Sequence, residues 1–362
     1  MSRATPVVLV TGVDADAMAA ATVAMQFDLP QAVVLRHDLD VGTQRLTRVV
    51  SDLAGVVERV HHDLDHACVS CALREDIVPT IERLAASGRW GAVVVHLPTA
   101  AEAVQVCRVT SLDPQAAPSA RITSVVTALS GPNLEAELIG DELLHERGLH
   151  TSDDDGRGVA EVLCSMVEYA DAVVTVGPAA AEGRALLAAL ARPDALRVPE
   201  PSRIPSARLV SGDLHDHRRT EAWVDTVRRG PVPDPTGPVW TLDLRSDLPL
   251  HPDRLLAGIE AIGGGPRRSR GCFWLPTRPG DVCVWDGAGG QLSIGSSGRW
   301  GLAEPLTRIV VTGLEGDEEK SLVRDAFTRC LLSETEVARQ GRYWEVGEDG
   351  FEPWLGPVRY AA

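Results

Sequence analysis

Pro6-Val7-Val8-Leu9-Val10-Thr11-Gly12 is a continuous apolar run that stops at a glycine. A strand covered on one face alternates apolar and polar residues; one without alternation is covered on both, as inside a parallel sheet. The residues that follow agree with that reading, since Asp14 or Asp16 can cap a helix over 17–27, rich in alanine and methionine. Residues 31–36 predict a second strand, 45–60 carry both helix and strand character, 76–86 predict an amphipathic helix, and Ala92-Val93-Val94-Val95-His96 is again a short buried strand. The runs 121–129 and 171–176 repeat the theme with helical stretches between them. Strands alternating with helices specify an α/β domain built on a doubly wound, mainly parallel sheet.

The chain has 362 residues, more than one core usually holds, so two domains are expected. Residues 199–238 are rich in proline and charge, with one strand expected at 207–210 and one helix around 221–228, and read as the boundary. Beyond it come strands at 239–244, 271–275, 282–285, 291–294 and 308–312, and helices over 252–262 and 317–330. That pattern is α+β. Seven of the eight tryptophans lie at or beyond Trp223, as expected of a second core built on aromatic residues.

Composition excludes several function classes. A formal charge of −16 opposes broad contact with phosphate backbones, so DNA is not an expected partner. No apolar run is long enough to cross a bilayer, and the start of the chain lacks the pattern of a secretory signal, so the expected location is cytoplasmic. Apart from one close pair, the seven cysteines are scattered, which fits reduced thiols rather than a disulfide framework.

That pair, Cys68 and Cys71, lies in His61-His62-Asp63-Leu64-Asp65-His66-Ala67-Cys68-Val69-Ser70-Cys71. Zinc takes thiolate sulfur, neutral imidazole or carboxylate at tetrahedral positions, and His61, His62, Asp65 and His66 stand ready to complete what two cysteines begin. Two other readings of the pair remain open, a redox dithiol beside a helix start and two small buried side chains.

Cys68-Val69-Ser70-Cys71-Ala72-Leu73-Arg74-Glu75-Asp76 resembles the Cys-x-Cys-Cys-Thr-Leu-Arg-Asp/Glu-Asp segment of the CobW-like family of metal-associated P-loop GTPases, with Ser70 at the middle cysteine. Glu168-Tyr169-Ala170-Asp171 is similar to that family's junction before its guanine-reading motif. Arg245-Ser246, Leu250-His251-Pro252-Asp253-Arg254-Leu255 and Arg270-Gly271-Cys272-Phe273-Trp274-Leu275 resemble its C-terminal domain. The resemblance implies a P-loop GTPase-like domain over 1–198, a linker over 199–238 and a smaller α+β CobW C-terminal-type domain over 239–362.

A phosphate loop needs glycines, a lysine and a magnesium-binding hydroxyl. Gly12-Val13-Asp14-Ala15-Asp16-Ala17-Met18-Ala19 falls at that place, with Met18 for the lysine, Ala19 for the hydroxyl, and two aspartates where phosphates would lie. The acidic residue expected at the end of the next strand falls on His96-Leu97-Pro98-Thr99, and the guanine-reading Asn-Lys-x-Asp falls on Val176-Gly177-Pro178-Ala179. Three absent elements imply a GTPase fold without its catalyst, so GTP is not an expected cofactor. Zinc is. Within the family, the resemblance is nearest to an actinobacterial branch that brings a hibernation-promoting factor to the small ribosomal subunit when zinc is scarce. The alternative implied function is a GTP-dependent zinc metallochaperone.

Other candidates receive plainer readings. His96 is expected to be a core histidine and His251 a helix-start residue; Cys107, Cys164, Cys272, Cys283 and Cys330 lie in apolar segments and read as packing. Asp153-Asp154-Asp155 reads as a solvated loop. Arg267, Arg268 and Arg270 are the densest basic cluster and read as solvated strand-end residues rather than RNA contacts.

Overall fold

The computed structural model describes residues 4–63, 72–150, 155–228, 230–232, 234–235, 237–314 and 316–358. The first apolar run forms β1 (Thr5–Thr11), followed by α1 (Ala15–Asp28) and β2 (Ala32–Asp40). The ambiguous stretch is a pair of strands, β3 (Arg45–Asp52) and β4 (Gly55–Asp63). A π-helical turn (Leu73–Ile77) leads into α2 (Val78–Ala86), then β5 (Ala92–His96), α3 (Ala103–Leu112) and β6 (Ala120–Ser130). Next come α4 (Leu134–Ile139), α5 (Val159–Tyr169), β7 (Ala172–Val176), α6 (Ala181–Leu190), β8 (Leu196–Val198), α7 (Ser206–Leu209) and α8 (His217–Val224). The strand expected at 207–210 is therefore part of a short helix that Pro205 precedes.

The strands make one eight-stranded sheet in the order β4-β3-β2-β5-β1-β6-β7-β8. Pairs from β2 through β8 are parallel, while β3 and β4 add an antiparallel edge. Alternation along the strands explains the unbroken apolar runs. Val7, Leu9, Val33, Leu35, Val93 and Val95 pack on one face with Ile77, Ile81, Leu84 and Val106. Val8, Val10, Val34, Val94 and Val126 pack on the other with Met18, Ala21 and Met25. Both faces are core, so neither set can become polar without a buried unsatisfied group. Strand order reverses around β1, which makes the loop after Thr11 the topological switch point where α/β folds place ligands.

Contacts divide the chain into two units: residues 1–134, 143–183 and 190–224 form one, and residues 135–142, 184–189 and 225–362 the other. In the second unit β9 (Val239–Ser246), α9 (Pro252–Gly263), β10 (Arg267–Phe273), β11 (Asp281–Ala288), β12 (Gln291–Arg299), β13 (Thr307–Leu314) and α10 (Asp317–Cys330) follow in order. Two short helices, α11 (Glu334–Gln340) and α12 (Glu352–Leu355), end it. Its sheet is antiparallel, ordered β12-β11-β10-β13-β9. Phe273, Trp285, Ile309, Val311, Leu255, Phe327 and Phe351 form its core. Gly271 is required where β10 meets β13, because a Cβ there would stand 1.8 Å from the Arg308 carbonyl oxygen.

Two of the three arginines in the basic cluster are buried rather than solvated, while Arg270 is half-buried. Arg267 and Arg268 are 8% and 3% exposed, paired with Glu319 and Asp286 respectively. Burying a guanidinium requires a partner, and each partner here arrives from a distant part of the chain. Among the described residues no helix is long and apolar enough to cross a membrane.

Candidate functional site

The β1–α1 loop is short and closed by its own side chains. Asp14 is the N-cap of α1, and its Oδ1 accepts the Ala17 N–H at 2.8 Å. Met18 N–H bonds the Asp14 carbonyl at 3.1 Å. Unbonded amides at a helix start are what a phosphate binds; in this chain a carboxylate already takes one of them. Met18 is fully buried. A Cβ on Gly12 would lie 2.6 Å from the Ala128 carbonyl oxygen and 3.0 Å from Met18 Cγ, so glycine lets the loop and the methionine close on β6.

His96, at the end of β5, is a core histidine. Its Nδ1 lies 2.9 Å from Thr22 Oγ1, whose own proton goes to the Met18 carbonyl at 2.7 Å. The hydroxyl must therefore accept from Nδ1–H. Burial pushes its pKa down to about 4. At the guanine-reading position, Gly177 adopts a left-handed φ of 82° and the Val176 carbonyl accepts from Gly131 N–H at 2.8 Å.

The segment 64–71, which carries both cysteines, lies between the end of β4 and Ala72 in sequence. Asp65, His66, Cys68 and Cys71 lie outside the described residues; His61 and His62 lie within them. Neighbours on a strand face opposite ways, and these two histidines have different partners. His61 Nδ1 lies 3.0 Å from Thr47 Oγ1, whereas His62 Nε2 lies 2.9 Å from Asp76 Oδ2. Only His62 joins the groups gathered on Asp76.

Asp76, in the π-helical turn, is 5% exposed. His37 Nε2 donates to its Oδ1 at 2.7 Å, and the Arg48 guanidinium reaches Oδ2. Arg48 also pairs with Glu58 at 2.7 Å and donates to Thr80 Oγ1 at 3.1 Å. Burial pushes the Asp76 carboxyl up, but His37, Arg48 and His62 outweigh it and hold the group below the usual carboxylate range. His62 Nε2 is buried yet lacks hydrogen-bond alignment with any partner, and His37 Nδ1 is likewise unpartnered. Among the described residues no three His, Cys, Asp or Glu side chains are grouped to hold a metal ion by themselves. What they supply is a frame: an imidazole backed by a buried carboxylate, two residues before the segment 64–71 in sequence. A carboxylate behind a histidine orients the ring and raises its basicity toward a metal. Asp76 closes the Cys68–Asp76 string, so its importance was readable there; His37 has no local signal, because only the β2–β3 pairing brings it to Asp76.

Comparison with known proteins bears on both halves of the chain. Residues 239–331 match the model of the cobalamin synthesis protein cobW C-terminal domain. That match assigns a CobW C-terminal-type domain to the second unit. It is 27% identical over 400 residues to a Mycobacterium tuberculosis protein described as "Zinc chaperone Rv0106", covering 97% of this chain and 93% of that protein. It is 20% identical over 375 residues to the "Zinc-regulated GTPase metalloprotein activator 1" of Dictyostelium discoideum, covering 92% of this chain and 76% of that one. The crystal structure of Zn(II)-bound YjiA GTPase from E. coli is 15% identical to this chain, covers 91% of it and 99% of its own length, and has a TM-score of 0.36.

Proposed function

We propose that this CobW-like protein is a zinc-handling protein of the metallochaperone type that takes zinc within residues 64–71 and does so without phosphate-loop GTP chemistry. The observation that carries the reading is His62 held against the buried Asp76, two residues before the segment that carries Cys68 and Cys71. Zinc is cargo in this reading. Cys68 and Cys71 supply thiolates, His62 an imidazole through Nδ1, and Asp65 or His66 the fourth donor; Asp76 orients the ring from behind. The descriptions of the two relatives support zinc as the ion. They favour delivery over the ribosome-directed role that the sequence resemblance implies, and no feature of the site singles out a hibernation factor or a ribosomal subunit.

Exclusion of GTP rests on the loop after β1. With the Ala17 amide capped by Asp14, Met18 in the core and no cation in the loop, a triphosphate would meet carboxylates instead of donors. Competition for zinc against a chromogenic chelator tests the metal half. Wild type is expected to bind one equivalent, Cys68→Ser/Cys71→Ser none, and Asp76→Asn the same equivalent with roughly ten- to hundredfold weaker affinity. Wild-type stoichiometry in the double cysteine variant would remove the site.

A further inference from the structure

A second cluster in the first unit is used by neither the nucleotide loop nor the cysteine-bearing segment. Asp171, just before β7, accepts the Val125 N–H and His215 Nδ1–H on Oδ2, both at 2.8 Å, and Arg192 on Oδ1 at 2.7 Å. The side chains of Asp171, Arg192 and His215 are 1%, 3% and 5% exposed. Nε2 of His215 is buried and has no hydrogen-bond partner. Cys107, itself 1% exposed on α3, is close enough to act on this ring and on the Tyr169 hydroxyl, which in turn lies 2.8 Å from His217 Nδ1. Cys107, His215 and His217 line one cavity of about 370 Å³ with Thr110, Ser111 and Arg121.

A buried imidazole nitrogen without a partner is costly unless it has another use. Here it shares a cavity with a thiol, and the opposite edge of the ring is fixed by a carboxylate, the order in which nucleophile, base and orienting group are arranged in reactive-thiol sites. Burial opposes charge on the ring, but Asp171 and Cys107 outweigh it and raise the His215 pKa to about 10. The ring therefore holds a proton at neutral pH.

We propose that Cys107 and His215, oriented by Asp171, form a reactive thiol centre that exchanges with small disulfides entering this cavity. The position of Cys107 selects this chemistry over acyl transfer. Acyl transfer needs backbone N–H donors for a developing oxyanion, whereas Cys107 lies inside α3, where amides are spent on the helix. Disulfide exchange develops charge along three sulfurs and needs no such hole. Cys107 Sγ attacks one sulfur of the disulfide, and a new S–S bond forms as the old one breaks. The Cys107 proton passes to solvent, and the departing thiolate takes a proton from His215 Nε2, which solvent then restores. One mixed disulfide and one free thiol result, with no further oxidant.

The test uses the full chain with Cys68→Ser/Cys71→Ser, incubated with 2-hydroxyethyl disulfide and followed by intact-protein mass spectrometry and peptide mapping. The expected result is a single adduct on Cys107, forming roughly a hundredfold more slowly in His215→Gln. In Asp171→Asn the rate falls and its pH profile moves, whereas labelling after denaturation in urea is unchanged. The proposal is overturned if Cys107 in the native chain stays unlabelled while the urea-denatured chain reacts, or if folded His215→Gln reacts at the parent rate. The native-against-denatured comparison decides even where a variant does not fold.

Discussion

Restoring the lysine that a phosphate loop requires should damage this protein rather than repair it. Met18 has no exposed surface and packs in the cluster that holds Val8, Val10, Ala21 and Val126. Met18→Lys places an ammonium in that core. The least costly outcome at pH 7 is loss of its proton, about 3.4 pKa units below the usual lysine value at about 1.36 kcal/mol each, or about 5 kcal/mol. A domain stable by roughly 5–15 kcal/mol would lose a third or more of its stability. The sign of the pH dependence follows: the unfolded chain binds a proton that the folded chain does not, so the penalty shrinks by about 1.4 kcal/mol per unit as pH rises from 7 toward the ordinary lysine pKa. Urea unfolding followed by circular dichroism at pH 7 and pH 9 measures both quantities, with Mg·GTP binding assayed alongside. A variant with the wild-type midpoint at both pH values and newly gained GTP binding would refute the reasoning, because Met18 would then face a phosphate site instead of the core.

Other outcomes follow from single contacts. Asp14→Ala removes the N-cap of α1 and should cost about 1 kcal/mol in urea unfolding without conferring nucleotide affinity. In the second unit, the Asp349 side chain is 0% exposed and accepts from Thr277, Arg278 and the Phe351 N–H, so Asp349→Ala leaves the buried Arg278 guanidinium with only a 3.8 Å pair to Glu352 and should cost roughly 3 kcal/mol. The His215 pKa is raised from 6.5 to about 10, so its contribution to stability is fully present below pH 6.5 and is lost as pH rises toward 10. Wild type should lose stability across that window, and His215→Gln should be flatter there in the same measurement.

Much of the architecture was legible because its physical causes are local. Unbroken apolar runs such as Val93-Val94-Val95 have no solvent face to show, and α10 was bounded correctly by its own sequence at Asp317 and Cys330. The hairpin of β3 and β4 was ambiguous because it forms the sheet edge, where residues are only partly covered and both periods are blurred. Residues 207–210 read as a strand because four residues carry too little period to separate the two forms. Burial of Arg267 and Arg268 depends on Glu319 and Asp286, 52 and 18 residues away, and no window on the sequence contains the first pair. At the candidate site the cysteine pair announced itself through spacing. His62 was one of several equivalent candidates until strand alternation separated it from His61, and Cys107 read as packing because Asp171 and His215 reach it only through the folded sheet.

Calorimetric titration of zinc into the purified protein, with and without Mg·GTP, tests the central claim most directly. The account predicts one zinc equivalent, with the same affinity whether or not the nucleotide is present, and its loss in Cys68→Ser/Cys71→Ser. Zinc binding that appears only with Mg·GTP, or that tightens when it is added, would contradict the account.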